Sequence, residues 1–371
     1  MKFTADKNVL FNALSNVSRA VADKSAILAL EGIKFSVSKD TLKLTGYDLE
    51  IGITATIPVN GDGEFEFVLS SKLVCQMVGK LPDGNVSFEY TAENGVRITG
   101  KRIVTTLGAI SADEYPNIPD YEKNEGFDID GAILKNMVNM TRFAVATTDA
   151  KPILTGELFE IKDGVFNIVS LDGYRLAVRT ERVSFDKNYN FVIKLKSLSD
   201  IVSLIKEKKA DESDIIKVYV SKKSAAFEFD NFSIHTRLLE GEFHQYSRAI
   251  PAPERIKTTI SVNVPEFIRA LERCQLLIDE KVKSPVRLTI NNDVIALSCK
   301  SPRGEINDDI PCEITGQSLE IGFNAAYLIS ALKSSETDKV TLKLIDSVSP
   351  MIISPADGDS FLFLVLPIRL Y

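Results

Sequence analysis

Few residues in this chain of 371 are of the types that do covalent or acid–base chemistry. It has two histidines, His235 and His244, four cysteines and no tryptophan. Cys75, Cys274, Cys299 and Cys312 show no CxxC spacing, and the first two fall on apolar stripes of helical stretches. Reduced core thiols are expected, not metal ligands or disulfides. Neighbouring carboxylates that could pair as acid and base stand at Asp308 with Asp309 and at Asp357 with Asp359. NDDI and ADGDS read as turn-like contexts, where Asp and Gly are favoured for backbone reasons. NGDGEF, residues 60–65, has two glycines but no GK[ST] and no helix directly after it, so it is no phosphate-cradling loop. The expectation is a protein without metal or cofactor that turns over no nucleotide, and not a hydrolase or transferase.

Charge is the more informative chemistry. The chain carries 44 Lys and Arg against 51 Asp and Glu, a net charge of −7, which speaks against nucleic acid until its distribution is examined. Six helical windows (7–22, 71–80, 131–145, 196–209, 265–277 and 324–334) hold 13 Lys or Arg against 4 Asp or Glu. Glu forms helices as well as Lys and Arg do, yet it is scarce there. Dispersed positive charge on helices, without interleaved aromatics, suits contact with phosphates and not stacking on bases. The expected partner is duplex backbone, read without sequence. By helix position, Lys80, Lys135, Arg142, Lys196, Lys206, Arg269 and Arg273 are candidates to lie near it.

These helices belong to a threefold repeat. Phe3 to Val21 has an N-cap at Asp6 and apolar residues at Val9, Leu10, Ala13, Leu14, Val17 and Val21, one face of an amphipathic helix. The pattern returns 124 residues on, with Asp130 as cap and a stripe of Ile133, Leu134, Met137, Val138 and Val145. A further 133 residues bring Asn263, then Phe267, Ala270, Leu271, Cys274 and Ile278. Period-two runs follow each helix: Phe159 falls 124 after Phe35 and Asp172 falls 124 after Asp48, while Asn292 and Asp293 mark the corresponding turn of the third copy. A second helical stretch and a further strand complete each copy. The fold class is α+β: three similar domains, each with two helices packed on antiparallel sheets. Pro-rich connectors, 111–126 and 241–259, each carry an Ile-Pro and act as linkers, giving domains at 1–122, 127–251 and 256–371.

With 44 % hydrophobic and 26 % charged residues the chain reads as soluble and globular. No run approaches a membrane span, and MKFTADK is no signal peptide, so a cytoplasmic location is expected. The terminal run FLFLVLPIRLY is unusually apolar. Alternation buries Phe361, Phe363 and Val365 and leaves Leu364 and Leu366 on the opposite face, as exposed apolar groups marking a docking groove.

MKFTADKNVL, LTGYDLEI, SLDGYRLAV, IGFNAAYLI, TDKVTLKLIDSVSP and the ending LPIRLY, in this order, carry a resemblance to the bacterial DNA polymerase III beta subunits, the sliding clamps, over essentially the whole chain. What it implies is the DNA clamp fold: a head-to-tail homodimer of three-domain subunits forming a ring around DNA, a non-catalytic processivity factor of the polymerase holoenzyme, itself a DNA-directed DNA nucleotidyltransferase. Lys24 and Lys72 match basic positions of the family and Thr148 a polar one. A partner-peptide cleft maps onto Leu154, Leu171, Gly173, Tyr174, Arg175, Leu176, His244, Arg248, Ala249, Leu364, Leu366, Pro367, Ile368 and Arg369, with Arg175 and the rims orienting the peptide. There the replicative polymerase, the clamp loader, other polymerases and repair proteins would insert a short motif rich in Gln, Leu and Phe. Departures from the family are His244 for a usual proline, Leu171 for a small hydroxyl residue, and Tyr371 beyond the usual stop. The dimer seam would set Val104 and Leu107 against Leu276 and Leu277. The rival reading is a repeat scaffold that binds only proteins and does not encircle DNA.

Overall fold

In the computed structural model the described residues are 1–370 apart from 92, 94, 124, 149, 186, 207–213 and 279–284. Three copies of one plan run along the chain: a strand, a helix and a set of strands, then a second helix and its strands. The α-helices among these residues are α1 (Lys7–Val17), α2 (Ser71–Lys80), α3 (Gly131–Thr141), α4 (Leu195–Leu204), α5 (Val264–Gln275) and α6 (Ala325–Ser334). The expected caps are in place. Asp6 accepts from the amides of Asn8 and Val9 at 2.9 and 3.1 Å, Asp130 from Ala132 and Ile133 at 2.8 and 3.1 Å, and Asn263 from Glu266 at 3.0 Å.

The stripes bury as expected, with one systematic exception. Leu10, Ala13, Leu14 and Val17 are buried, as are Leu134, Met137 and Val138, but Val9 and Ile133 are exposed. Both sit one residue before the stripe, which at about 100° per residue turns them to the flank of the buried face. The third copy has Glu266 there. The window 196–209 is shorter as a helix, since α4 ends at Leu204 and residues 207–209 lie outside the described ones, as does Tyr371.

Two compact units emerge, Met1–Leu134 with Ser197–Leu238, and Lys135–Lys196 with Leu239–Tyr371. In the first, a five-stranded sheet has Lys2–Asp6 between Asn60–Gly61 and Asn85–Thr91, then Gly95–Gly100 and Ile103–Leu107. An eight-stranded sheet runs Gly126–Asp130, Ile215–Val220, Ser224–Phe229, Phe232–Arg237, Ile51–Pro58, Thr41–Tyr47, Gly32–Val37 and Phe65–Ser70. Its core includes stacked rings, Phe3 on Phe88 and Phe35 on Phe67, each at 4.9 Å.

In the second unit, a nine-stranded sheet runs Tyr189–Lys194, Gly156–Lys162, Val165–Leu171, Arg175–Arg182, Phe361–Val365, Met351–Pro355, Lys339–Leu344, Thr258–Asn263 and Glu313–Gly316. A four-stranded sheet runs Gly304–Pro311, Val294–Ser301, Val286–Asn291 and Leu319–Phe323. The apolar sides of α5 and α6 fill one core with the inner faces of these strands, Phe267, Leu271, Leu328, Phe361 and Phe363 among its members.

Repeats therefore share sheets. Ile51–Pro58 of the first copy pairs antiparallel with Phe232–Arg237 of the second, and Arg175–Arg182 of the second pairs with Phe361–Val365 of the third. In both cases the third strand after a copy's first helix meets the last strand of the next copy.

Two expectations need correction. Asp308 and Asp309 lie within the strand Gly304–Pro311, not in a turn, so alternation sends their carboxylates to opposite faces. The connectors are also more than linkers. Tyr115 is buried and its hydroxyl donates to Thr45 O at 3.1 Å, while Phe243, Tyr246, Ile250 and Ile256 pack on the outer face of the nine-stranded sheet. Its apolar part (Leu158, Val169, Val178, Val192) is thereby removed from water, while beside it the Tyr246 hydroxyl bonds to Glu160 of the same face.

Candidate functional site

The terminal strand Phe361–Val365 is paired on both sides, with Arg175–Arg182 and with Met351–Pro355. Phe361, Phe363 and Val365 enter the helix-side core as alternation required. Leu364 does not stay exposed: it is 4 % accessible, because the connector carrying Tyr246 folds over it. Leu366, beyond the strand, is 40 % exposed, its amide donating to Tyr174 O at 2.9 Å. Leu176, the cross-strand partner of Leu364, shares that outer cluster.

Around this pair lies a groove with a cavity of about 120 Å³, lined by Leu171, Gly173, Tyr174, Arg175, Leu176, Tyr246, Ala249, Pro350, Leu364 and Leu366. Eight are sequence candidates. Tyr246 and Pro350 are additions, and Tyr246 had a signal, since each connector carries a Tyr shortly before its Ile-Pro (Tyr115 before Ile118, Tyr246 before Ile250). The hairpin beneath the rim is set by Asp172, which accepts from the amides of Tyr174 and Arg175, both at 2.8 Å. Gly173 takes φ +90, a conformation glycine adopts without a Cβ penalty. Tyr174 stands 60 % exposed at the mouth. The walls can take apolar side chains, the chemistry of a peptide groove.

Arg175, one of the lining residues, is also held by its own neighbours. It pairs with Val365, a helix-side residue, so its guanidinium lies on that side of the sheet. There it donates to Asp172 Oδ2 at 2.8 and 3.1 Å and to Ser330 Oγ at 3.1 Å, and sits 4.3 Å from the Tyr327 ring. The residue thus braces the hairpin from within the groove's lining. Among the remaining candidates, Leu154 is buried, Arg248 is exposed, and Pro367 is half-buried. Lys151 Nζ lies 3.3 Å from the exposed His244 Nε2. Ile368 bridges to Gly322, its amide donating to the carbonyl at 2.8 Å. Arg369 lines a separate cavity with Arg287, Lys300 and Glu305. None of these six lines the groove's cavity.

The cationic candidates divide by partner. Lys24, Lys72, Lys80 and Arg269 are exposed and carry no ion pair among the described residues. Lys206 pairs with Asp230 at 2.7 Å and Arg273 with Asp308, so each is locally neutralised. Arg142 and Lys196 are exposed and Lys135 half-buried, all with contacts to neighbouring groups. Thr148 is exposed in its loop. Of the seam candidates, Val104 is 52 % and Leu276 77 % exposed, with Leu107 and Leu277 half-buried. Val104 and Leu107 lie in Ile103–Leu107, which forms a sheet edge.

This architecture is shared with known proteins. Residues 1–119, 128–245 and 248–369 match, in order, the N-terminal, central and C-terminal domains of the DNA polymerase III beta subunit. The beta sliding clamp of Staphylococcus epidermidis is 29 % identical over the full length of both chains. Among solved structures, the DNA polymerase sliding clamp of Bacillus subtilis is 30 % identical with a TM-score of 0.95, covering 100 % of each chain. A DNA polymerase III beta subunit of Thermotoga maritima is 28 % identical with a TM-score of 0.90, again over 100 % of each. Three matched domains in sequence order, and a likeness that runs the whole length of both chains, place this chain in the DNA polymerase III beta subunit family.

Proposed function

We propose that the protein is a sliding clamp: two copies join head to tail in a ring around duplex DNA, and the groove at Leu176 and Leu364 tethers the replicative polymerase for processive synthesis. The same groove serves the clamp loader, other polymerases and repair proteins through short motifs of the Gln, Leu and Phe type. The chain itself is the non-catalytic subunit of that DNA polymerase, with domains at 1–122, 127–251 and 256–371 and a cytoplasmic location.

The observation that carries this reading is the rule by which repeats share sheets. Applied to the third copy, the rule selects Gly304–Pro311 as the strand awaiting a partner, and on the first copy it selects Ile103–Leu107. Both are sheet edges. A bare edge is a template for pairing, and a second copy satisfies both edges at once, closing the assembly. Carrying over the registers Ile51 with Thr236 and Arg175 with Val365 sets Gly304 against Leu107 of the partner subunit. Exposed Val104 and Leu276 are then apolar surface at the seam.

Closure explains how tight retention coexists with motion. Each cation–phosphate contact must break at every step, so strong adhesion would slow the polymerase, whereas a closed ring holds by topology and leaves weak, salt-sensitive contacts free to exchange. The test is retention on nicked circular DNA. The protein is expected to stay bound through gel filtration on circles and to dissociate when they are linearised; equal dissociation from both forms would refute encirclement.

A further inference from the structure

Cross-strand pairing lays out the outer face of the nine-stranded sheet in rows. Leu171, Leu176 and Leu364 form the groove floor, Leu158, Val169, Val178 and Leu362 an aliphatic row beside it, and Glu160, Asn167 and Thr180 a polar row beyond. Thr180 stands four residues from Leu176 along one strand, so the polar row lies roughly 13 Å from the floor at about 3.3 Å per residue. Glu160 is accordingly not among the groove's lining residues. Tyr246 spans the gap. It lines the groove and packs on the aliphatic row, while its hydroxyl donates to Glu160 Oε2. The same oxygen accepts from Asn167 Nδ2 at 3.4 Å, and Asn167 Oδ1 accepts from the Thr180 hydroxyl at 2.7 Å, so three strands hold the acceptor in place. Burial, and after it the Glu160 carboxylate, push the phenol's pKa up, so the hydroxyl keeps the proton it donates.

This contact is the only hydrogen bond from residues 243–250 to the sheet among the described residues. The amides of Tyr246, Arg248 and Ile250 donate within the segment, to His244, Gln245 and Ser247, and His244 reaches Lys151, outside the strands. The connector of the first unit is tied more often, with Tyr115 on Thr45 O and both Tyr121 and Lys123 on Glu228. Ala249, the other wall residue from the segment, shares the short helical turn Tyr246–Ala249, so release of Tyr246 loosens both. Apolar packing is non-directional and holds the segment down without fixing where Tyr246 stands; a hydrogen bond to a carboxylate fixes it.

We propose that Glu160 is a positioning residue for the groove: by holding the Tyr246 hydroxyl it keeps the wall of Tyr246 and Ala249 closed on Leu364 and so raises the affinity for a partner peptide. The inference rests on this groove being the peptide site. A wall that stands open part of the time lowers apparent affinity in proportion to the closed fraction. The test uses the full-length protein with Glu160→Ala, Glu160→Gln, Tyr246→Phe and the double variant Glu160→Ala, Tyr246→Phe. Amide hydrogen exchange over residues 243–250 is read without peptide, and a labelled Gln-Leu-Phe-type peptide is titrated by fluorescence anisotropy. Glu160→Ala and Tyr246→Phe are each expected to speed exchange in that segment and to weaken the peptide about five- to tenfold. Glu160→Gln, which keeps an acceptor for the hydroxyl, should stay within about twofold of the unaltered protein, and the double variant should be no weaker than Tyr246→Phe, since both changes break one contact. Unchanged exchange in the two single variants, equal losses in Glu160→Ala and Glu160→Gln, or losses that multiply in the double variant would overturn the role. Faster exchange with undiminished binding leaves the groove as the peptide site and overturns the role of Glu160 alone, whereas no binding by the unaltered protein refutes the groove and this role with it.

Discussion

Glu157 is the residue at which the repeat breaks its own rule. Ile33 faces Leu69, Glu157 faces Ile193 and Val286 faces Phe323, each partner two residues before a helix, so a carboxyl occupies an aliphatic core position. It is fully buried, Thr141 Oγ donates to its Oε1 at 3.1 Å, and its Oε2 has no partner among the described residues. Burial drives its pKa well above the ordinary carboxylate value, outweighing the Thr141 bond. The folded form holds a proton that the unfolded chain releases near its ordinary pKa. The stabilising share of this group is therefore full below that value and declines as pH rises toward the folded pKa. Glu157→Ile is expected to raise stability at neutral pH by about 1–3 kcal/mol and to flatten the pH dependence, as measured by urea unfolding across pH 5 to 8. In the groove, Leu366→Ala removes a half-exposed apolar contact and is expected to weaken a labelled Gln-Leu-Phe-type peptide about tenfold in fluorescence anisotropy. Ile368→Ala, off the cavity, should act less.

Among the elements, the end of the first helix comes close to its sheet in the first two copies. A Cβ at Gly46 would lie 2.4 Å from Val17 O, at the end of α1. The matching pair 124 residues on is Ser170 and Thr141, and there the Ser170 hydroxyl donates to the Thr141 carbonyl. One position thus solves the approach of helix end to strand in two ways, by absence of a side chain or by a hydrogen bond. Gly46→Ala is expected to cost about 1–3 kcal/mol in urea unfolding, because the obstructing atom is backbone and cannot swing away. The hairpins show the converse, one solution used twice. Asp48 accepts from the amides of Glu50 and Ile51 at 2.9 and 2.7 Å, as Asp172 does from its own neighbours, so an aspartate at the same place in each copy fixes the same turn.

For the whole molecule, the ring predicts a solution mass near twice 41.0 kDa. Leu276→Asp with Val104→Asp places charge on two exposed positions, so the fold should persist by circular dichroism while light scattering reports monomer. Topological retention on circular DNA should disappear with it. Lys24→Ala with Lys72→Ala should leave the dimer intact and reduce the slope of log affinity against log salt by about 2, since every neutralised phosphate accounts for about 0.9 of that slope. An unchanged slope would place both lysines away from the backbone.

The sequence by itself determined the repeat, the caps and the inner faces. These follow from spacings along one chain: Asp6, Asp130 and Asn263 cap their helices, and Phe35 and Phe159, 124 residues apart, are both fully buried. It also marked the terminal run as the place for a groove. Tertiary structure decided what covers the outer faces and which way shared residues turn. Alternation says that Leu364 lies opposite Phe363, but only the folded connector with Tyr246 buries it. A chemical type says that Arg175 is a cation, but pairing with Val365 commits it to Asp172 and Ser330. Proximity between segments far apart in the chain leaves no period in the sequence, so the roofs over both junctions, and the Glu160 that holds Tyr246 beneath one of them, emerge only when distant strands are brought side by side.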